Sequence, residues 1–247
     1  KPQTINWKAP MNKLLQSLVG LVLVVSFVAT TARAQVGPEQ VVVNATNVLA
    51  QTATMQSGIP QNLLAEAQGI VIIPNMIRGA FVIGLQHGRG VLLVRGPNGA
   101  WQPPQFVQMT GGSLGYQIGV QSTDLILVFR TQQSVANLMR GTLKIGVDAS
   151  AAAGPVGRQA SAATDLPMQA ETLSYSRARG AFLGVSIDGS SISLDPSSQA
   201  LYYQPPGVMP PSAQQLIQMV TAMSGGASPA VVPPVQPTVA TGPPIAP

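Results

Sequence analysis

Cysteine is absent from the 247 residues, and histidine occurs once, at His87. Charged residues make up 9% of the chain and aromatics 4%. Each shortage closes a class of function. Without cysteine there are no disulfide staples, so a hydrophobic core must hold the fold. One histidine, no cysteine and scattered carboxylates cannot furnish the three or four ligands of a zinc site. No metal and no cofactor is expected. No Asp or Glu lies within about twenty residues of His87 in sequence, so a general base with an orienting carboxylate is not visible either. His87 reads as a solvated turn residue beside Arg89.

Charge is thinner than the formal net value of +5 suggests. Lys1, Lys8, Lys13 and Arg33 all fall in the first 34 residues. The remaining chain carries nine basic and eight acidic residues and is nearly neutral. Nucleic-acid binding needs clustered Lys and Arg against phosphate, so no nucleic acid is expected as a partner.

The first 34 residues have an order of their own. Lys8 and Lys13 flank Met11, an uncharged apolar run follows from Leu14, and Ala32-Arg33-Ala34 closes it. Basic region, apolar region and small-x-small site in that order read as a secretory signal peptide. The expected location is periplasmic or extracellular after cleavage. The rival reading is an uncleaved N-terminal membrane anchor, because the apolar run is about long enough to span a bilayer.

Beyond the leader the pattern is mixed. A helix is expected over 37–56, where Val41, Val48 and Met55 recur every seven residues, and a short helix over 59–69 from Pro60 to Gly69. Strands are expected at 70–73, ending at Pro74, and at 79–86 and 91–95, joined by a turn at His87-Gly88-Arg89-Gly90. Further strands are expected at 105–109, 113–121, 124–129, 170–176, 180–187 and 190–194. The runs 70–73, 91–94 and 125–129 are apolar at every position, as in strands buried on both faces. A sheet built from them must curl on itself or be covered by helices. The fold class is therefore α+β, a strongly bent, barrel-like, mainly antiparallel sheet with N-terminal helices and one or two covering helices. Thr131 caps a helix over 131–141 whose buried stripe is Val135, Leu138 and Met139. Asp124 and Asp188 read as turn residues and Asp195 as a helix cap. The domain spans 35–203. A linker and a possible docking helix occupy 204–224. The uncharged 225–247, with seven prolines, reads as an extended tail.

One stretch, "DASAAAGPVGRQASAATD" over 148–165, consists mostly of Ala, Gly, Ser and Thr. Such residues let another backbone come close, so the segment is expected to pack tightly against the bent sheet and to end at an exposed Arg158.

Several blocks together, "AQGIVIIP", "GRGVLLVR", "GGSLGYQIGVQSTDLILVF", "DASAAAGPVGR" and "SYSRARGAFLGVSIDGSSI", resemble the SYLF domain family from about Ala65 to Tyr203. The resemblance implies an α+β module without known catalysis. Its eukaryotic members bind phosphoinositide membranes and, in some cases, filamentous actin, and its bacterial members are commonly exported. An exported protein does not ordinarily meet actin, so actin is not expected among the partners. The leading expectation is a non-enzymatic, exported module that binds an anionic lipid or membrane surface. A second is an envelope scaffold that binds a protein partner, and an unrecognised hydrolase ranks last. The candidate anion-binding residues are Arg78, Arg89, Arg95, Arg140, Lys144, Arg158, Arg177 and Arg179. Their guanidinium forks would suit phosphate if turns gathered them at one rim.

Overall fold

In the computed structural model the residues described are 36–55, 58–80, 83–114, 119–155, 170–178, 181–184, 187 and 189–226. The elements below belong to one compact unit that begins at Pro38. The leader over 1–34 and the tail from 227 onward lie outside the described residues.

Helix α1 (Pro38–Thr54) and helix α2 (Gln61–Glu66) come first. Four long strands follow, β1 (Gly69–Ala80), β2 (Ile83–Val94), β3 (Gln105–Leu114) and β4 (Gly119–Phe129). Helix α3 (Gln132–Met139) leads to β5 (Thr142–Lys144) and β6 (Ala151–Ala153). Strands β7 (Thr172–Ala178), β8 (Ala181–Gly184) and β9 (Ser190–Leu194) precede α4 (Pro196–Tyr202) and α5 (Pro211–Met223). The sheet order is β5-β9-β3-β2-β1-β4-β7-β6, with β8 attached to β7. Among the described strands only the β6–β7 pair is parallel.

The connectivity forces this sheet to curl. Laid flat, its first and eighth strands would stand roughly 34 Å apart at ~4.8 Å per strand. Yet only six residues separate Lys144, at the end of β5, from Ala151, at the start of β6. Even fully extended, they reach roughly 25 Å. They are not extended either, because the Asp148 amide donates back to the Lys144 carbonyl at 2.8 Å. The two edges must therefore bend toward each other, giving the half-barrel that the doubly apolar strands imply.

Each face of the curl has its own core. Inside, Val71, Ile73 and Met76 meet Leu125, Leu127 and Phe129, together with Leu143, Ile145 and Ile192 from the opposite edge. Helix α3 adds Val135 and Leu138 to this interior. Its Thr131 cap accepts from the Ser134 amide at 3.2 Å. Met139 is exposed instead of completing the stripe, and Ser134 takes a buried place, because the interior lies toward the 134–135–138 side. Outside, Ile70, Ile72, Val91, Leu93, Ile126 and Val128 pack beneath α1 and α5. Helix α5 contributes Ala213, Leu216 and Val220. Its end is tied down by a hydrogen bond from Trp101 Nε1 to Ser224 Oγ at 3.1 Å.

Three expectations from the sequence need correction. The first strand does not stop at Pro74. It runs to Ala80 through a bulge where the register shifts on both sides, between Ile72 and Ile77 toward β2 and between Ile73 and Met76 toward β4. Proline cannot donate to the ladder, so a central strand carries one only at such a break. Asn75 there adopts φ 51°. The second correction concerns Asp124, which is not a turn residue. It lies buried in β4, accepting from the Asn75 amide at 2.9 Å and from Arg177 Nε at 2.7 Å. The carboxylate thus pins the bulge. The third is that no turn exists at His87–Gly90, because β2 runs unbroken through it. The glycines serve packing. A Cβ at Gly88 would lie 2.4 Å from Ile73 Cγ2, and one at Gly90 would lie 2.1 Å from the Ile72 carbonyl oxygen.

The small-residue stretch is described as far as Pro155. Ala149 is buried, and Ala151–Ala153 forms the parallel edge strand. Gly154 lies under the Tyr175 ring, where a Cβ would fall 2.1 Å from Cζ. Asp148, Ser150 and Ala153 are exposed, so in this part only Ala149 and Gly154 are fully packed against the fold. Residues 156–169, and with them Arg158, lie outside the described residues.

Candidate functional site

The outer face of the sheet is covered unevenly. Helices α1, α4 and α5 cover the half above the bulge, up to the level of Arg89. Arg89 is held by Asp195 at 2.9 Å and by the Ser198 hydroxyl of α4. Below that level the strands continue with no described helix over them. Strand registers align one residue from each of six strands there: Lys144, Ser191, Thr110, His87, Ile77 and Ser122. Their inner neighbours Leu143, Ile192 and Met109 are buried, so alternation turns this row outward. All but the half-buried Ser191 are exposed. At one strand spacing per step the row is roughly 24 Å long. Leu85, 68% exposed, follows on the same face beside Ile77, 56% exposed.

The face has no acidic residue in this row. It offers a cation at Lys144, a titratable imidazole at His87, hydroxyls at Ser191, Thr110 and Ser122, and two large aliphatic side chains. Arg140, exposed at the end of α3, precedes β5 by one residue. The row runs around the convex side of the curl and mixes charged, hydroxyl and aliphatic side chains.

The candidate cations from the sequence divide into groups. Arg89, Arg95 and Arg177 have protein partners. Arg95 donates to the carbonyls of Ala67, Leu64 and Gly99 and stacks 4.4 Å from the Trp101 ring centre. Burial pushes its guanidinium below the ordinary arginine value. Arg177 is paired with Asp124. Arg78 lies on the inner face, half-buried, donating from Nε to the Gln86 side-chain oxygen at 3.0 Å, and burial lowers its pKa as well. Gln86 passes the chain on to Ser190 Oγ at 2.6 Å, across Gly111. Arg140 and Lys144 are exposed, while Arg158 and Arg179 lie outside the described residues. The structure therefore leaves Arg140 and Lys144 exposed, four residues apart in sequence, and sends Arg78 to the opposite face.

Sequence reading missed Ile77, Leu85, Thr110 and Ser122. The signal for Leu85 was available. With Gly88 and Gly90 read as packing residues, Leu85, His87 and Arg89 alternate as one outward set.

Residues 110–230 match the model of the family described as Ysc84, Las17-binding protein actin regulator. This part of the chain is thus similar to the Ysc84 (SYLF) family. The chain is 34% identical over 137 residues to LAS seventeen-binding protein 3 of Saccharomyces cerevisiae, covering 54% of this chain and 30% of that protein. It is 30% identical over 135 residues to SH3 domain-containing YSC84-like protein 1 of Homo sapiens, covering 54% of this chain and 39% of that one. The chain thus spans about a third of the length of the curated relatives it matches. These relatives are named for what they bind or contain, not for a reaction. The family description corrects one expectation from the sequence. Actin was set aside as a partner on the ground of export, but the matched family is described as an actin regulator. A leader pattern says where a chain is sent. It does not say which surface its domain recognises.

Proposed function

We propose that the domain is a non-catalytic recognition module that adheres to an anionic lipid surface through the uncovered lower face of its half-barrel. The observation that carries this reading is the exposure of Ile77 and, diagonally across on β2, of Leu85, on a face whose six-residue row holds no acid and ends at Lys144. Aliphatic side chains gain by leaving water, about 25 cal/mol per Å² of area buried. Cations beside them gain from anionic headgroups, and that term weakens with salt. Neither term demands an enclosed cavity. The basic, apolar and small-residue order over 1–34 supports delivery of the module beyond the cytoplasmic membrane.

The test is flotation of the chain with vesicles of phosphatidylcholine, alone and mixed with an anionic phospholipid, across a salt series. Salt-sensitive capture by the anionic vesicles is expected. Ile77→Ser with Leu85→Ser should abolish it, and Lys144→Gln with Arg140→Gln should flatten its salt dependence. Equal capture of wild type and the Ile77/Leu85 variant would overturn the assignment of this face.

The family description supports a second reading, in which the same face meets an actin filament. Cosedimentation with filamentous actin separates the two. Retention by filaments that the Ile77/Leu85 variant loses, without vesicle capture, would favour the protein partner.

A further inference from the structure

Arg78 lies half-buried on the inner face of the curl, below the bulge. Its Nε donates to Gln86 Oε1 at 3.0 Å. Among the described residues its two Nη groups have no acceptor, and no carboxylate pairs with it. Asp124 is held by Arg177 and Asp195 by Arg89. Burial pushes the Arg78 guanidinium below the ordinary arginine value. A charge partly stripped of water without an opposite charge behaves in that way.

Other residues fix this guanidinium in place. Gln86 is buried, and its Nε2 donates to Ser190 Oγ at 2.6 Å. Strand β3 leaves that path open at Gly111, where a Cβ would fall 2.6 Å from Gln86 Nε2 and 2.8 Å from Ser190 Oγ. The Gln86 oxygen is thereby committed to Nε, and the Nη pair is left as a fork. Strand β4 supplies the neighbours on the other side. Its register sets Gln121 opposite Arg78 and Thr123 opposite Met76, so both share the inner face with Arg78. Gln121 is exposed, while Thr123 is buried and its hydroxyl has no partner.

A guanidinium fork beside a carboxamide fits an oxyanion. A phosphate group matches the donors better than a carboxylate does. Two of its oxygens engage the fork, and a third remains for the Gln121 amide. Alternation along β1 puts Arg78 on the opposite face of the sheet from Ile77. A surface pressed against the outer face does not reach it.

We propose that Arg78, oriented by Gln86 and flanked by Gln121, is an anion site inside the curl that takes the phosphate group of a small soluble ligand. It fills independently of the outer face around Ile77 and Leu85.

The test is an NMR titration of the full chain with inorganic phosphate at constant ionic strength. The Arg78 Nε–H and the side-chain amides of Gln86 and Gln121 are followed. Saturable shifts of these signals are expected, with weaker binding of acetate. Arg78→Lys keeps the charge, removes the fork and should raise the phosphate dissociation constant about tenfold. Gln121→Ala, at an exposed position that does not serve the core, should weaken phosphate binding and leave acetate binding unchanged. Ile77→Ser with Leu85→Ser should leave the titration as it is, so failure of this site and failure of the outer face are read separately. Shifts that do not saturate, a phosphate constant unaltered in Arg78→Lys or in Gln121→Ala, or acetate bound as tightly as phosphate would overturn the proposal. A response to vesicles containing phosphatidic acid but not to inorganic phosphate would place the ligand in a membrane and overturn it equally.

Discussion

The half-barrel has two halves, divided by the Pro74–Asn75 bulge, and they are built differently. Above the bulge, Ile70–Ile73, Val91–Leu93 and Leu125–Phe129 are buried on both faces. There the sheet is the middle layer of a sandwich, with helices outside and the closed curl inside. Below it, the same strands alternate between a packed inner face and an outer one that no described helix covers, and Ile77 and Leu85 are exposed. One set of strands is thus buried on both faces at one end and exposes one face at the other. A continuous apolar strand could not do both, because an unbroken register would carry its buried set straight through. The bulge changes the register, and Asp124 with Arg177 holds it in place.

This comparison can be broken from its strong end downward. Phe129→Ala, in the fully buried half, should lower unfolding free energy by about 3–5 kcal/mol, measured by urea denaturation. A loss below about 1 kcal/mol would show that the upper half does not carry the fold. Asp124→Ala leaves the Arg177 guanidinium and the Asn75 amide without their acceptor. Breaking such a pair costs about 2–3 kcal/mol once the partial exposure of Arg177 is allowed for. Hydrogen exchange should then rise across the bulge and β7 before it rises at Ile70–Ile72. Uniform acceleration would mean that the bulge is not a separate joint.

A smaller effect comes from the boundary where α4 ends its cover. Burial alone would raise the Asp195 pKa. Hydrogen bonds from the Ser198 hydroxyl, Arg89 and the Ser198 amide, together with the Arg89 charge, outweigh burial and hold the carboxyl below its usual range. A depressed folded pKa contributes stability that is present above the unfolded value of about 3.9 and lost as pH falls through the folded one. Asp195→Asn, which still caps α4, should therefore be less stable by about 0.5–1 kcal/mol at pH 7. The gap between wild type and variant should begin to close below about pH 4 and vanish once pH has fallen through the depressed folded pKa. A gap that persists in acid would point to packing, not charge. The smallest effect belongs to the lower face, where Ile77→Ser with Leu85→Ser should change stability by no more than about 0.5 kcal/mol. A larger loss would mean that these side chains serve the core and that the face is not free for recognition.

Much of the fold was legible because it follows from local pattern. Thr131 and Asp195 announced their helices, since a short polar side chain before an apolar stripe has few other uses. Apolar runs at 70–73 and 125–129 demanded cover on both faces, and the curl followed. The candidate face was not legible, because its two marks were ambiguous. Gly88 and Gly90 spell a turn in one dimension, and only the Ile72 and Ile73 atoms pressed against them identify a strand without room for side chains. Arginines at 89, 95 and 177 look free in sequence and prove to have partners more than fifty residues away or on backbone carbonyls.

The sequence by itself determined the element types, the need for a doubly covered sheet and the family blocks, because periodicity, caps and composition act over a few neighbouring residues. Tertiary structure alone decided which cations remain exposed, which strand face stays bare and where the central strand breaks. Those depend on partners distant in sequence, whose approach is set by strand register and by the short chain that draws the two edges of the sheet together.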